Sequence, residues 1–317
     1  MTPNSLDCKI VLPGGAGLVG QNLVARLKDR GYHSIVVLDK HRENLAMLQQ
    51  VQPDVHCEYA DLAEPGEWQA HIRSADVVVM LQAQIGGMHY EEFVRNNVDA
   101  SRRILDTIKS APQQPYLIHI SSSVVVSVAD DFYTRSKIAQ EQLVLDSGIA
   151  CPILRPTLMF GWFDRKHLGW LSRFMKKVPV FPIPGHGRYM RQPLYAGDFS
   201  DIIISCISKR SGPGIYNISG HEKIDYIDMI REIKRATRAR TLILRIPYWL
   251  FFMLLWIWAL FDRNPPFTTQ QLAALSAKDE FEVIDWPGIF GVPYTPFTQA
   301  LQETFNDSRY SHIVMKF

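Results

Sequence analysis

The chain has no excess of either charge. Its 34 Lys and Arg against 32 Asp and Glu leave a formal charge of +2, which offers no electrostatic footprint for nucleic acid. Cysteine is scarce: Cys8, Cys57, Cys151 and Cys206 are scattered over 317 residues without metal-ligand spacing. That pattern excludes a disulfide framework and predicts reduced thiols in a cytoplasmic protein. His167, His186 and His221 are spread out, with no His-Glu-x-x-His arrangement, so no metal is expected. The stretch "MTPNSLDCKI" lacks the basic region and apolar core of a secretory leader, and none is expected. Internal repeats and low-complexity tracts are absent. The most apolar run, Ile246 to Phe261, has 16 residues, about 24 Å of helix against a hydrocarbon core of about 30 Å. A membrane-spanning helix is therefore not expected.

What is present is an alternation. Apolar residues make up 47% and charged residues 21%, enough for a substantial core. "KIVLP", "SIVVLD", "VHCEYADL", "ADVVVMLQA", "YLIHISSS" and "ACPILRPTLMFG" read as strands. Between them "GQNLVARLKDRG", "EEFVRNNVDASRRILDTIKSA" and "YTRSKIAQEQLVLDSG" read as helices. Strands alternating with helices predict an α/β fold with a doubly wound parallel sheet. After residue 162 the rhythm breaks among Pro179, Pro182, Pro184 and Pro193. The expected organisation is a nucleotide-binding domain over 1–165 and a smaller lobe over 166–317, whose segments interleave with the first, including "GIYNISG" and "YIDMIREIKRATRA".

"VLPGGAGLVG" places Gly14, Gly17 and Gly20 between the first strand and the first helix. Glycines there permit a tight turn and close approach of pyrophosphate to a helix N-terminus, whose unpaired N–H groups and positive dipole end attract anions. Asp39 ends the second strand, where a carboxylate accepts bonds from an adenosine ribose and repels the extra phosphate of NADP. NAD is thus expected over NADP, and Lys40 and Arg42 read as solvated charge. In "YTRSK", Tyr133 and Lys137 share one helix face. An ammonium beside the phenol lowers its pKa and suits it to proton exchange with a substrate oxygen. Ser123, at the carboxyl end of a serine-tipped strand, can bond the same oxygen. His119 reads as a core histidine, and the "REIKRATRAR" stretch as the solvated face of a helix.

"GGAGLVG", Asp39, "ADL", "NNV", "HISSS", "YTRSK" and "LRPTLMFG" together resemble the extended short-chain dehydrogenase/reductase superfamily, in its NAD-dependent epimerase/dehydratase branch. The resemblance runs through residues 9–220. It implies a Rossmann-type sheet with a smaller C-terminal substrate-binding lobe. It also implies a catalytic Ser123, Tyr133 and Lys137, with Lys137 reaching the nicotinamide ribose. Gly14, Gly17, Leu18, Val19 and Gly20 would line the pyrophosphate, Asp39 the ribose, Asp61 and Leu62 the adenine, and Leu81 and Ala83 the length of the cofactor. Asn97 resembles the helix asparagine behind the site, and Arg191 the arginine that contacts a nucleotide-sugar diphosphate. Pro13, Gln82 and the short Ser123–Tyr133 segment depart from the usual pattern. With "LRPTLMFGWFDR…VPVFPIPGHGR…QPLYAGD", they resemble atypical members related to an accessory subunit of respiratory complex I.

In such enzymes dehydration needs an Asp–Glu pair directly after the catalytic hydroxyl residue, and decarboxylation a nearby glutamate. Here Ser123 is followed by Val124 and Val125. The resemblance therefore implies epimerisation or keto-sugar oxidoreduction of a nucleotide-activated sugar, in surface-polysaccharide synthesis. Two alternatives stay open: a nucleotide-holding accessory protein, and a dehydrogenase of an apolar sterol or terpenoid alcohol. For the apolar run, three placements are open: burial between lobes, a homodimer interface, or peripheral contact with the inner face of a membrane. In the last, Trp249, Trp256 and Trp258 would sit at headgroup level and Arg231 to Arg245 would face anionic lipid.

Overall fold

The computed structural model describes residues 6–127, 130–261, 272, 282 and 284–316, with only the backbone of 258, 259 and 261. Seven strands form one parallel sheet: β1 (Ile10–Pro13), β2 (Ile35–Asp39), β3 (His56–Tyr59), β4 (Val77–Met80), β5 (Tyr116–Ile120), β6 (Pro152–Pro156) and, after a long excursion, the strand Gly214–Ile218. The spatial order is Gly214–Ile218, β6, β5, β4, β1, β2, β3. Every described pairing within the sheet is parallel. This is a Rossmann-type doubly wound sheet, whose order reverses between β1 and β4. Ligands of such sheets bind at that point, outside the carboxyl ends of the strands.

The near-continuous apolar strands follow from burial on both faces. Ile10, Leu12, Ile35, Val37, Val77 and Val79 point to one core. Val11, Val36, Leu38, Val78 and Met80 point to the other. The first core is covered by helices α1 (Leu18–Asp29) and α2 (Arg42–Val51), the second by α3 (Trp68–Arg73) and, beyond the short α4 (Tyr90–Phe93), by α5 (Ala100–Lys109) and α6 (Phe132–Asp146). The single helix expected over residues 91–111 contains a π-helical stretch, Val94–Asp99. The "LRPTLMFG" strand divides at Thr157, whose N–H bonds Ile218 O at 2.9 Å. Beyond it, β7 (Met159–Phe160) pairs elsewhere.

The second half contributes α7 (Leu168–Lys177), β8 (Val180–Pro184), β9 (Met190–Arg191), β10 (Leu194–Tyr195), α8 (Ala196–Lys209), β11 (Gly214–Ile218, the seventh sheet strand), β12 (Ile224–Asp225), α9 (Tyr226–Thr237), β13 (Leu242–Ile246) and α10 (Tyr248–Phe261). Some of these complete the sheet's core. Phe199, Ile202, Ile203 and Cys206 of α8 lie in the cluster that holds Leu23, Val24 and Leu27 of α1, and Trp286 and Phe290 join them. Trp286 is buried and donates its indole N–H to Ser219 O at 3.1 Å. A separate core joins α7, β8 and α9 to the helix Phe297–Asn306. Arg231 and Arg235 on α9 are exposed, as a solvated helix face requires, and so are Arg238 and Arg240 just beyond its end. Of the three placements open for the apolar run, full burial between lobes is the one the structure does not show. Helix α10 leaves Trp249 66%, Trp256 55% and Leu260 64% exposed. The Trp258 side chain lies outside the described residues.

Candidate active site

A cleft of about 610 Å³ opens at the carboxyl ends of the strands. Gly14, Gly17, Leu18, Val19, Gly20, Asp39, Asp61, Leu62, Leu81, Ala83, Ser123, Tyr133 and Lys137 all line it. Asn97 and Arg191 do not. Asn97 is fully buried behind the wall, accepting from Gln84 N at 2.6 Å and donating to Ser136 Oγ at 2.8 Å. Arg191 sits on β9, paired with β12, and donates to Met190 O at 2.7 Å.

The three glycines serve different ends. Gly14 has φ +78° and a Cβ there would overlap the backbone of Gln82; a Cβ on Gly20 would overlap that of Gly15. Both are dictated by the fold. Gly17 has φ −80°, and the nearest atom to an added Cβ is Gly14 O at 3.7 Å, so its missing side chain keeps the cleft clear. Gly17 also stands at the N-cap of α1 with no side-chain cap and no acidic residue in the first turn. The helix's leading N–H groups are thus left to a ligand. Asp39 Oδ2 accepts from Ala16 N and Oδ1 from His41 N, each at 3.0 Å. Each oxygen keeps a further lone pair for ribose hydroxyls. Asp61 is held by Arg95 Nη1 at 2.9 Å. An open Gly17, uncapped helical N–H groups and a fixed carboxylate at the end of β2 fit a dinucleotide such as NAD.

At the other end stands α6, capped by Asp131, whose Oδ1 accepts from Thr134 N at 2.7 Å. The cap fixes Tyr133 in the first turn. One helical turn on, Lys137 is 1% exposed. Its Nζ donates to Ile120 O at 3.1 Å and to Gln140 Oε1. Burial pulls its pKa down to about 7, against a smaller upward pull from Glu141. Gln140 in turn donates to Ser101 Oγ at 2.8 Å, Gln82 donates to the same oxygen at 2.9 Å, and Ser101 donates to Asn97 O. Gln82 is thus a member of the network under the cleft floor.

The expected lowering of the Tyr133 pKa by the Lys137 ammonium is corrected here. Lys137 is turned toward Ile120 and Gln140, and burial raises the Tyr133 pKa, opposed by a hydrogen bond with the Ser122 side chain and reinforced by Asp131. The serine bonded to Tyr133 is Ser122; Ser123, one residue on, opens a 3-10 turn through Val126 and lines the same cleft. Strand alternation explains the offset. Ser121 faces Glu141, which also receives Arg155, and its neighbour Ser122 faces the opposite way. Residues 128 and 129 of the segment leading to Tyr133 lie outside the described residues.

Sequence reasoning missed Ser122, Gln140 and the turn Arg165–His167, which lines the cleft because Asp164 accepts from the N–H groups of Lys166, His167 and Gly169. An aspartate followed by a short loop is the signal for such a side-chain-to-backbone turn. His119 is fully buried with neither ring nitrogen bonded, and burial followed by the Lys137 charge holds its pKa well below the usual range. It is a packed, neutral histidine. Among the described residues, His56, Glu58 and His71 bring ligand atoms within 4.8 Å of one another, away from the cleft on β3 and α3. There Lys9 Nζ sits 3.4 Å from His71 Nδ1 and Glu58 lies 2.9 Å from Nε2. A lysine can only donate, so it makes Nδ1 the acceptor and commits Nε2–H to Glu58.

The NAD dependent epimerase/dehydratase family profile matches residues 10–219, and the chain belongs to that family. Mitochondrial NADH dehydrogenase 1 alpha subcomplex subunit 9 of Arabidopsis thaliana is 26% identical over 71% of the chain and 58% of its own length. Its Dictyostelium discoideum counterpart is covered over 61%, so the chain spans about three-fifths of these relatives. The decarboxylating sterol-4-alpha-carboxylate 3-dehydrogenase of Mus musculus is 23% identical over 93% of the chain and 90% of its own length. Among solved structures, UDP-N-acetylglucosamine 4-epimerase of Bacillus cereus has a TM-score of 0.72 at 17% identity, covering 94% of this chain and 98% of that one. The Bordetella bronchiseptica enzyme WbmF, in complex with NAD+ and UDP, has a TM-score of 0.70 at 18% identity, covering 95% and 92%.

Gly14→Ala is expected to destabilise the fold, whereas Gly17→Ala leaves its unfolding midpoint in place and weakens NAD binding; urea melts and cofactor titration separate the two. The buried Lys137 gives a pH signature. Between about 7 and the usual lysine value of 10.5, the unfolded chain holds a proton that the folded chain has released, so this residue's contribution to stability rises with pH in that window. Relative to Lys137→Met, the wild type should gain roughly 1.4 kcal/mol per pH unit across it. Urea unfolding of both proteins at about pH 7 and about pH 9 checks the slope, and parallel profiles would refute it.

Proposed function

We propose that the chain is an NAD-dependent oxidoreductase or epimerase acting on a nucleotide-activated sugar, with Tyr133 exchanging the proton of the reacting hydroxyl. The observation behind this reading is that Tyr133, Ser122, Ser123 and Lys137 line the same cleft as the glycine turn and Asp39. When bound, NAD supplies the acceptor and donor of hydride. The protein orients the substrate and moves the proton. Burial keeps the Tyr133 phenol protonated at rest, ready to donate to a substrate carbonyl; in the reverse direction the phenol must first release that proton to solvent, and the phenolate then receives the hydroxyl proton. Ser122, bonded to that phenol, and Ser123 are the groups to hold the substrate oxygen. Lys137 commits donors to Ile120 O and Gln140, and in its protonated form has a third for the nicotinamide ribose. Val124 follows in the wall with no titratable group, which favours epimerisation or simple oxidoreduction over loss of water. The substrate class is supported by the solved relatives, among them MoeE5 in complex with UDP-glucose and NAD.

A second reading is oxidation of an apolar ring alcohol. It is favoured by the position of Arg191 off the cleft and by a wall that includes Ile85, Val124, Pro156, Leu158 and Met159. Incubation with NAD and a panel of UDP- and GDP-sugars alongside sterol alcohols, followed by NMR, decides between the two; turnover of no member would favour the accessory role.

On the true substrate, Tyr133→Phe should leave NAD affinity nearly unchanged and lower turnover by about a hundredfold or more, the scale of a positioned acid–base group. A wild-type rate would remove the proton-exchange role. Asp39→Ala should weaken NAD more than NADP, because the carboxylate accepts from ribose hydroxyls and repels a phosphate. Titration of both cofactors against both proteins measures this, and a wild-type preference for NADP would contradict it.

A further inference from the structure

Helix α10 is apolar on all sides, with no charged residue from Tyr248 to Phe261. Trp249, Phe252, Met253, Leu254, Trp256 and Leu260 are all exposed. The exposed apolar surface continues onto the adjoining β-pair. Strand β13 runs into α10 through Pro247 and pairs with β8, and Leu242 and Leu244 of β13 and Val180 of β8 are exposed. An exposed apolar surface of this extent marks a docking site.

The charge around it identifies the occupant. From Arg238 to Phe261 the sequence holds Arg238, Arg240 and Arg245 and no acidic residue, whereas Arg235, further back, is paired with Glu232. Arg245 is exposed three residues ahead of the helix. Arg188 is exposed in the turn after β8, beside the point where Gly185 N bonds Ile246 O at 2.8 Å. A twofold pairing of this face with its copy would set these cations against themselves. An anionic lipid surface satisfies both features at once, with an apolar layer for the helix and phosphate headgroups for the arginines. The helix has 14 residues, about 21 Å, and among the described residues no helix is long and apolar enough to cross a membrane.

We propose that α10 and the exposed edge of β13 and β8 dock the protein on one leaflet of an anionic phospholipid bilayer, with the helix below the headgroups and Arg188 and Arg245 among them. The contact is independent of the reaction carried out in the cleft.

Flotation of the full chain with vesicles of phosphatidylcholine alone, and of equimolar phosphatidylcholine and phosphatidylglycerol, tests this. Binding to the anionic vesicles, weakened by salt, is expected, together with quenching of tryptophan fluorescence by brominated lipid. The double variant Trp249→Glu/Trp256→Glu should lose binding by tenfold or more with an unchanged thermal melt, because both side chains are exposed. Arg188→Gln and Arg245→Gln should each weaken it about fivefold, the scale of one cation at a charged surface. Wild type that stays unbound to anionic vesicles at low salt overturns the proposal. So does a wild type that light scattering finds dimeric, becomes monomeric in the double variant and never floats, which would assign the face to a second copy.

Discussion

The site rests on a lysine amine withdrawn from water. Burying an ammonium without partners costs several kcal/mol, so the group either finds hydrogen-bond acceptors or gives up its proton. Lys137 does some of each: it donates to Ile120 O and Gln140, and its pKa falls to about 7. Supplying those acceptors fixes the end of β5, the face of α6 and, through Ser101 and Asn97, the π-helical stretch before α5. Asn97 closes the circuit by bonding Ser136, whose hydroxyl donates to Tyr133 O at 2.8 Å. The backbone of Tyr133 and the Lys137 amine are therefore tied into one buried network.

The glycine turn obeys a constraint of another kind, that of space. Gly14 and Gly20 are small because backbone passes where a side chain would be, Gln82 for the first and Gly15 for the second. Gly17 is small although an added Cβ would meet only Gly14 O, at an ordinary contact distance of 3.7 Å. Of the three, the glycine with room around it is the one that points to a ligand. The same reasoning changes the standing of Gln82: its backbone packs on Gly14 while its amide bonds Ser101, joining the cofactor turn to the network beneath Tyr133.

Much of this was legible in the sequence because it depends on local rules. Apolar runs marked strands buried on both faces, and the glycine turn and Asp39 marked the carboxyl end of the sheet. What was not legible depends on distant partners. "SSS" offers three hydroxyls, and only the arrival of Glu141 and Arg155 decides that Ser121 turns inward and Ser122 meets Tyr133. The direction of the Tyr133 pKa depends on where the Lys137 amine points, and a spacing of four residues does not determine that. Arg191 follows a motif, but its strand pairs with β12, outside the cleft wall. The exposure of α10 is a tertiary fact as well, since composition is the same for a buried helix.

The way Trp286 and Phe290 fill the core beneath α1 and α8 has a consequence in time. A ribosome delivers the chain from its N-terminus, and domains that are contiguous in sequence fold as they emerge. Here the sheet waits for its seventh strand at Gly214–Ile218, and its core for two aromatic rings some 70 residues later. The core of the sheet is thus incomplete until Trp286 and Phe290 have been made. A nascent chain stopped after β6 exposes the β6 edge to other strands, so Gly214–Ile218 and the two rings act as the closure that ends the period of aggregation risk.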